Sequence, residues 1–193
     1  DPVAEILVRR NARYAELIAR HEYRLTGPRA DTSYLAAYRR DPETRARALD
    51  ELRRAAQENP QNTMAWLGLA QEYQVAGPAA LADRVKALSH AVPLLAGKPT
   101  EGRARAELAE AFLQMGRHAD ALAAAQAALR ADKTLLLPYW VLAAVAERGG
   151  SLGDARDQLQ ALLQRINTDH PMAPAVRERL QAVEEKLKLR DGK

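Results

Sequence analysis

Apolar positions recur at helical spacing along nearly the whole chain, broken by short polar segments that carry glycine or proline. Ile6, Leu7, Tyr14, Leu17, Ile18, His21 and Leu25 share one face over residues 3–25, with Arg9, Arg13, Glu16, Arg20 and Glu22 mostly on the others, which predicts one long amphipathic helix. Thr26, Gly27 and Pro28 end it, because glycine accepts a left-handed cap and proline cannot continue the hydrogen-bond ladder. Asp31 and Thr32 supply capping oxygens for a short helix over 33–40. Asp41, Pro42 and Glu43 repeat that start signal for a helix over 43–57, closed by Pro60. Trp66, Leu69, Ala70 and Tyr73 form an apolar stripe over 63–75, ended by Gly77 and Pro78. A helix over 79–92 follows, then an exposed loop holding Pro93, Gly97 and Pro99 before a new start at Thr100 and Glu101. Near the end, Ala173, Val176, Leu180, Val183 and Leu187 define a last amphipathic helix behind the loop Asn167 to Pro171.

Between Gly102 and Ile166 the pattern is written twice at one fixed spacing, the interval that separates Leu108 from Leu142. Ala109 returns at that interval as Ala143, Gly116 as Gly150, Ala121 as Ala155 and Leu129 as Leu163, while Ala128 is answered by the larger Leu162. This is a tandem helix-pair repeat: small residues let paired helices approach closely, larger ones fill the space between pairs, and each pair leaves a face bare until the next stacks on it. Earlier in the chain, Leu35, Ala36 and Ala48 lie one such period before Leu69, Ala70 and Ala82.

Trp66, Leu69, Ala70, Tyr73, Gly77 and Ala82 resemble the Trp, Leu, small, Tyr, Gly and Ala positions of a tetratricopeptide repeat. The resemblance covers about residues 33–166 and implies an all-α, right-handed helical-hairpin solenoid of about four helix pairs. A long N-terminal helix over 1–28 precedes the repeats of 29–171, and a capping helix and tail over 172–193 close them. The N-terminal helix has two readings, a cap for the solenoid or a partner-binding or dimerising helix. From Leu69 to Leu108 the interval is longer than the period, and the excess falls in the loop before Glu101.

Composition narrows the class. Of 193 residues 47% are hydrophobic, yet there is one Phe and two Trp, so alanine and leucine carry the apolar share and favour helix. A chain of this length can bury a continuous core as a single domain. The formal charge of +4 comes mostly from residues 1–54, where 12 basic side chains face 9 acidic ones. Acidic residues interleave with those arginines, which argues against a phosphate-binding stripe. There is no cysteine, hence no disulfide scaffold, thiolate metal site or cysteine nucleophile. No apolar run reaches the roughly 18 residues of a membrane span. The chain opens on Asp1, so membrane association would come only through a segment outside it.

The search for catalytic chemistry returns little. His21, His90, His118 and His170 are scattered without metal-ligand spacing, and no glycine-rich phosphate loop or GxSxG is present. Glu107 and Glu110 are the nearest approach to a carboxylate pair, and on one turn of a helix they read as a solvated face. No enzyme activity, metal or cofactor is expected.

The resemblance also implies a concave groove lined by the first helix of each pair. Carried over by register, its positions are Leu67, Gly68 and Gln71, then Ala106, Glu107 and Glu110, then Trp140, Val141 and Ala144, with Arg103 and Leu137 one turn earlier on their helices. Lys and Asn, which a carboxylate-clamp version of the family needs at several of these places, are absent. Leu67, Leu137 and Trp140 beside Gln71, Arg103, Glu107 and Glu110 suit an amphipathic helix or extended peptide of a partner protein. Two alternatives stand beside this scaffold reading. Leu162 and Leu163, the loop with Asp169 and Pro171 and the closing helix resemble the end of periplasmic repeat domains that present apocytochrome for haem attachment, which would place the chain in the cell envelope. The basic, tyrosine-bearing segment 1–54 admits a helical-repeat RNA binder.

Overall fold

The computed structural model describes residues 10–26 and 41–191. Nine α-helices stand among them and no strand: α1 (Ala15–His21), α2 (Pro42–Glu58), α3 (Thr63–Ala76), α4 (Leu81–Leu94), α5 (Glu101–Gln114), α6 (His118–Ala131), α7 (Leu137–Arg148), α8 (Leu152–Leu163) and α9 (Ala173–Asp191). The chain divides into two compact units, one ending at Leu94 and the other starting at Leu95. The division falls in the irregular interval where the sequence exceeds its repeat period.

In the first unit α3 packs on α4 as an antiparallel hairpin and α2 lies against α3. Asp41 caps α2 by accepting from the Glu43 and Thr44 N–H groups, and Pro42 occupies the first turn, where its missing N–H is not needed. The Thr44 hydroxyl also donates to Asp41, and this hydrogen bond is the main reason its carboxyl titrates below the usual range. Ala48, Leu52, Ala55 and Ala56 form the buried stripe of α2. Its start also carries an ion pair: Arg45 Nε donates at 3.0 Å to the buried carboxylate of Glu72, and the same guanidinium donates at 3.0 Å to the Glu72 carbonyl.

The long N-terminal helix expected over 3–25 is much shorter in its described part. A 3-10 turn over Ala12–Tyr14, capped by Asn11, leads into α1, which ends at His21. Nothing in α1 is buried, so no apolar face holds residues 22–25 in helical register. Instead the chain leaves the helix at Glu22 and bends through residues 24–26, lying against α2 through bonds to Glu51, Arg54 and Glu58. Burial, followed by a hydrogen bond to Glu58, pushes the Tyr23 phenol upward there. Residues 3–9 and the helix expected over 33–40 lie outside the described residues.

In the second unit α5/α6 and α7/α8 are the two written-out copies, each an antiparallel hairpin. Their equivalence reaches individual hydrogen bonds. At the end of α5 the Gly116 N–H bonds the Leu113 carbonyl at 3.0 Å and the Arg117 N–H bonds the Phe112 carbonyl at 2.9 Å. At the end of α7, Gly150 bonds Glu147 at 3.1 Å and Ser151 bonds Ala146 at 2.9 Å. Both are Schellman caps, with Gly116 at φ 74° and Gly150 at φ 76°, a left-handed backbone that only glycine enters at little cost. Ala109, Ala143, Ala121 and Ala155 are fully buried, as close helix approach requires. Leu159, Leu162, Val176 and Val183 carry the core on from α8 into α9, which closes the array with one apolar stripe as expected. Each fully buried Leu contributes about 1.5–3 kcal/mol of transfer free energy.

Candidate partner-binding groove

α5 and α7, the first helices of the two copies, pack on one another within the second unit. α5 begins without a side-chain cap at Thr100. The neighbouring Glu101 ties the preceding loop to the helix instead, accepting from the Gly97 N–H at 2.7 Å and the Arg105 guanidinium at 2.8 Å. The Gly97 hydrogen bond, then that from Arg105, holds the Glu101 carboxyl below its ordinary range. Arg103, Glu107 and Glu110, spaced i, i+4 and i+7, share one face of α5. Arg103 is 80% exposed and donates at 3.0 Å to Glu107. Ala106, the remaining α5 position of the expected groove, is buried.

The path into α7 is set by Asp132, which accepts from the Thr134 hydroxyl at 2.6 Å and the Thr134 N–H at 2.8 Å. Those two bonds lower its pKa, the hydroxyl's first. Leu137, Trp140 and Ala144 lie along one face of α7, but they differ in access. Leu137 is half-buried, whereas Ala144 and Val141 are buried and offer a ligand no side-chain surface. Trp140 packs against the core of Tyr139, Leu159 and Val176, and its ring is covered by Arg179 of α9 at 4.5 Å from the centroid. Arg179 is held there by Glu147, at 3.0 Å from Nε to Oε1. Tyr139 is covered in the same way by Arg165, at 4.3 Å.

Leu67 and Gln71 lie on α3 in the first unit, the former half-buried and the latter exposed, with Gly68 buried between them. Trp66 stacks on His90 of α4 with centroids 4.4 Å apart, and its indole N–H donates to the Pro60 carbonyl at 2.9 Å. The structure therefore brings Arg103 and Glu107 into direct contact, puts Glu110 on the same face and leaves Leu137 on the adjacent helix. Arg179 and Glu147 went unread in the sequence, because they lie far apart along it and neither falls on a repeat signature. Among the described residues no group of three His, Asp or Glu side chains is placed to hold a metal, and no helix is long and apolar enough to cross a membrane.

Hairpins of this kind, with glycine caps recurring at the repeat period, define the described residues as an all-α helical-hairpin repeat fold. Solved structures carry the same fold. Two crystal structures of MamA match with TM-scores of 0.67 and 0.68 at 19% and 20% identity, over 80% and 83% of this chain and 85% and 84% of theirs. The crystal structure of the APC/C hetero-tetramer Cut9–Hcn1 matches with a TM-score of 0.62 at 20% identity, over 92% of this chain and 33% of the matched one. No protein-family model matches the sequence. No curated protein matches it either.

Proposed function

We propose that the protein is a non-enzymatic interaction scaffold that binds a helix or extended peptide of a partner protein along α5 and α7, the first helices of the pairs in its second unit, with the α5 face as the principal contact. The observation that carries this reading is the pairing of Arg103 with Glu107 on an accessible face of a helix whose opposite face is core. A paired Arg and Glu offers a partner both a guanidinium fork and a carboxylate. Glu110 and Leu137 extend the face with a second acidic group and an apolar anchor. On α3, Leu67 and Gln71 offer the same mixture. The likeness to a chain crystallised in a hetero-tetramer is in keeping with a protein partner. Trp140 acts here chiefly as the seat of Arg179, and Ala144 as packing.

Site-specific photo-crosslinking tests the reading. A photoreactive residue at position 103 is expected to trap one or a few proteins in extract of the source cells, while the same residue at Gln126, exposed on α6, traps none of them. Equal capture from both positions overturns it. So does recovery of RNA whose binding falls steeply as salt rises, since that slope counts phosphate contacts.

A further inference from the structure

Three side chains on one face of α2 hold residues 20–26 through their main chain and their polar side chains. Glu51 Oε1 accepts the Arg24 N–H at 2.9 Å, and Oε2 accepts the N–H groups of Leu25 and Thr26, each at 2.9 Å, with the Thr26 hydroxyl at 3.3 Å. One turn on, Arg54 donates to the carbonyls of Arg20 and Glu22, each at 2.6 Å, and its guanidinium lies 4.4 Å from the Tyr23 ring centroid. A further turn on, Glu58 accepts the Tyr23 hydroxyl at 2.9 Å and lies 3.4 Å from His21 Nδ1. Acceptors thus meet donors and donors meet acceptors from Arg20 through Thr26. Apolar attachment is slight, because Thr26 alone is buried among residues 10–26.

We infer that residues 20–26 form a strap latched on α2 by the Glu51, Arg54 and Glu58 ridge, and that the strap opens as a unit while α2 and the α3/α4 hairpin stay folded. Cooperativity follows from the latch. Each of the three α2 side chains holds several strap residues, so losing one contact loosens those on either side of it. Opening before global unfolding follows from burial: little apolar surface is exposed when the strap lifts, whereas α2 cannot leave without exposing Leu52, Ala55 and Ala56. The strap does not depend on the α5 face, and either can fail without the other.

Amide hydrogen exchange followed residue by residue on the full chain tests the strap. In the wild type the amides of Arg24, Leu25 and Thr26 are expected to exchange together, at least about tenfold faster than those of Leu52, Ala55 and Ala56. Glu51→Gln should speed the three strap amides by a further tenfold or so and leave the α2 amides unchanged. Tyr23→Phe, which removes the hydroxyl's hydrogen bonds with Glu58 and Arg54 and keeps the ring, should speed all three by a smaller common factor, and it decides the matter if Glu51→Gln fails to fold. Strap amides that exchange at the α2 rate, that respond singly, or whose acceleration is matched in α2 would overturn the inference.

Discussion

The Arg179 guanidinium of α9 lies over the Trp140 ring of α7 at 4.5 Å and is oriented by Glu147 from the end of the same helix as the tryptophan. One side chain thus ties the closing helix to the copy before it, through an aromatic face and a carboxylate at once. Arg179 and Glu147 are both about one-fifth exposed, so water screens the pair only in part. Arg179→Met keeps the aliphatic stem and should destabilise the second unit by about 1–2 kcal/mol, read as a lower urea midpoint. Arg179→Lys should recover less than half of the loss, because an ammonium cannot stack flat on the ring and bond Glu147 together.

The two Schellman caps make a paired prediction. Gly116→Ala and Gly150→Ala each put a Cβ on a left-handed residue, at φ 74° and 76°, although neither Cβ would meet another atom within 4 Å. The cost is therefore backbone strain alone, about 1–2 kcal/mol, and it should be the same at both sites to within about 0.5 kcal/mol. Thermal unfolding of the two variants checks it. A large difference would show that the two turns are not equivalent despite their matching hydrogen bonds.

A third prediction concerns pH. Glu101 has its folded pKa lowered, first by the Gly97 N–H and then by Arg105. A lowered folded value means the stabilisation is fully present above the unfolded pKa of about 4.3 and is lost as pH falls through the folded value. Melting temperatures of the wild type and Glu101→Gln should therefore differ at neutral pH, with the wild type higher. The gap should narrow below about pH 4 and close at lower pH. A gap that persists or widens in acid would show that another group carries the effect.

Leu159 is fully buried between α7 and α9 in the second unit's core. Leu159→Ala should cost about 2–5 kcal/mol, the range for a deleted core leucine whose surroundings relax only partly. Denaturant unfolding monitored by Trp140 fluorescence in a Trp66→Phe background would read this directly, since Trp140 packs against the same cluster.

Much of this architecture was legible because repetition multiplies weak signals. One Leu-Ala pair says little, but Leu108 and Ala109 answered by Leu142 and Ala143, with Gly116 and Gly150 at matching places after them, fix helix, turn and pairing together. The starts at Asp41–Pro42 and the end at Gly77 were readable for the same local reasons that make them physical stops. At the N-terminal helix periodicity does not coincide with burial: Ile18 and Leu25 keep helical spacing, but Leu17 is 48% exposed and no residue of α1 is buried, and the helix stops at His21. In the groove, register placed Arg103, Glu107 and Glu110 on one face, and it also nominated Trp140 and Ala144. Register alone cannot tell that Arg179, from the far end of the unit's sequence, covers the one and that close helix packing buries the other.

The most direct test of the scaffold reading swaps the two charges of the α5 pair, exposed Arg103 and half-buried Glu107. In the double variant Arg103→Glu with Glu107→Arg, the i, i+4 ion pair survives in reverse order, so folding stability should change by less than about 0.5 kcal/mol. The pattern offered to a partner is inverted. Affinity for the protein trapped through position 103, measured by calorimetry, should fall at least about tenfold. Unchanged affinity in a variant of unchanged stability would contradict the claim that this face is where the partner binds.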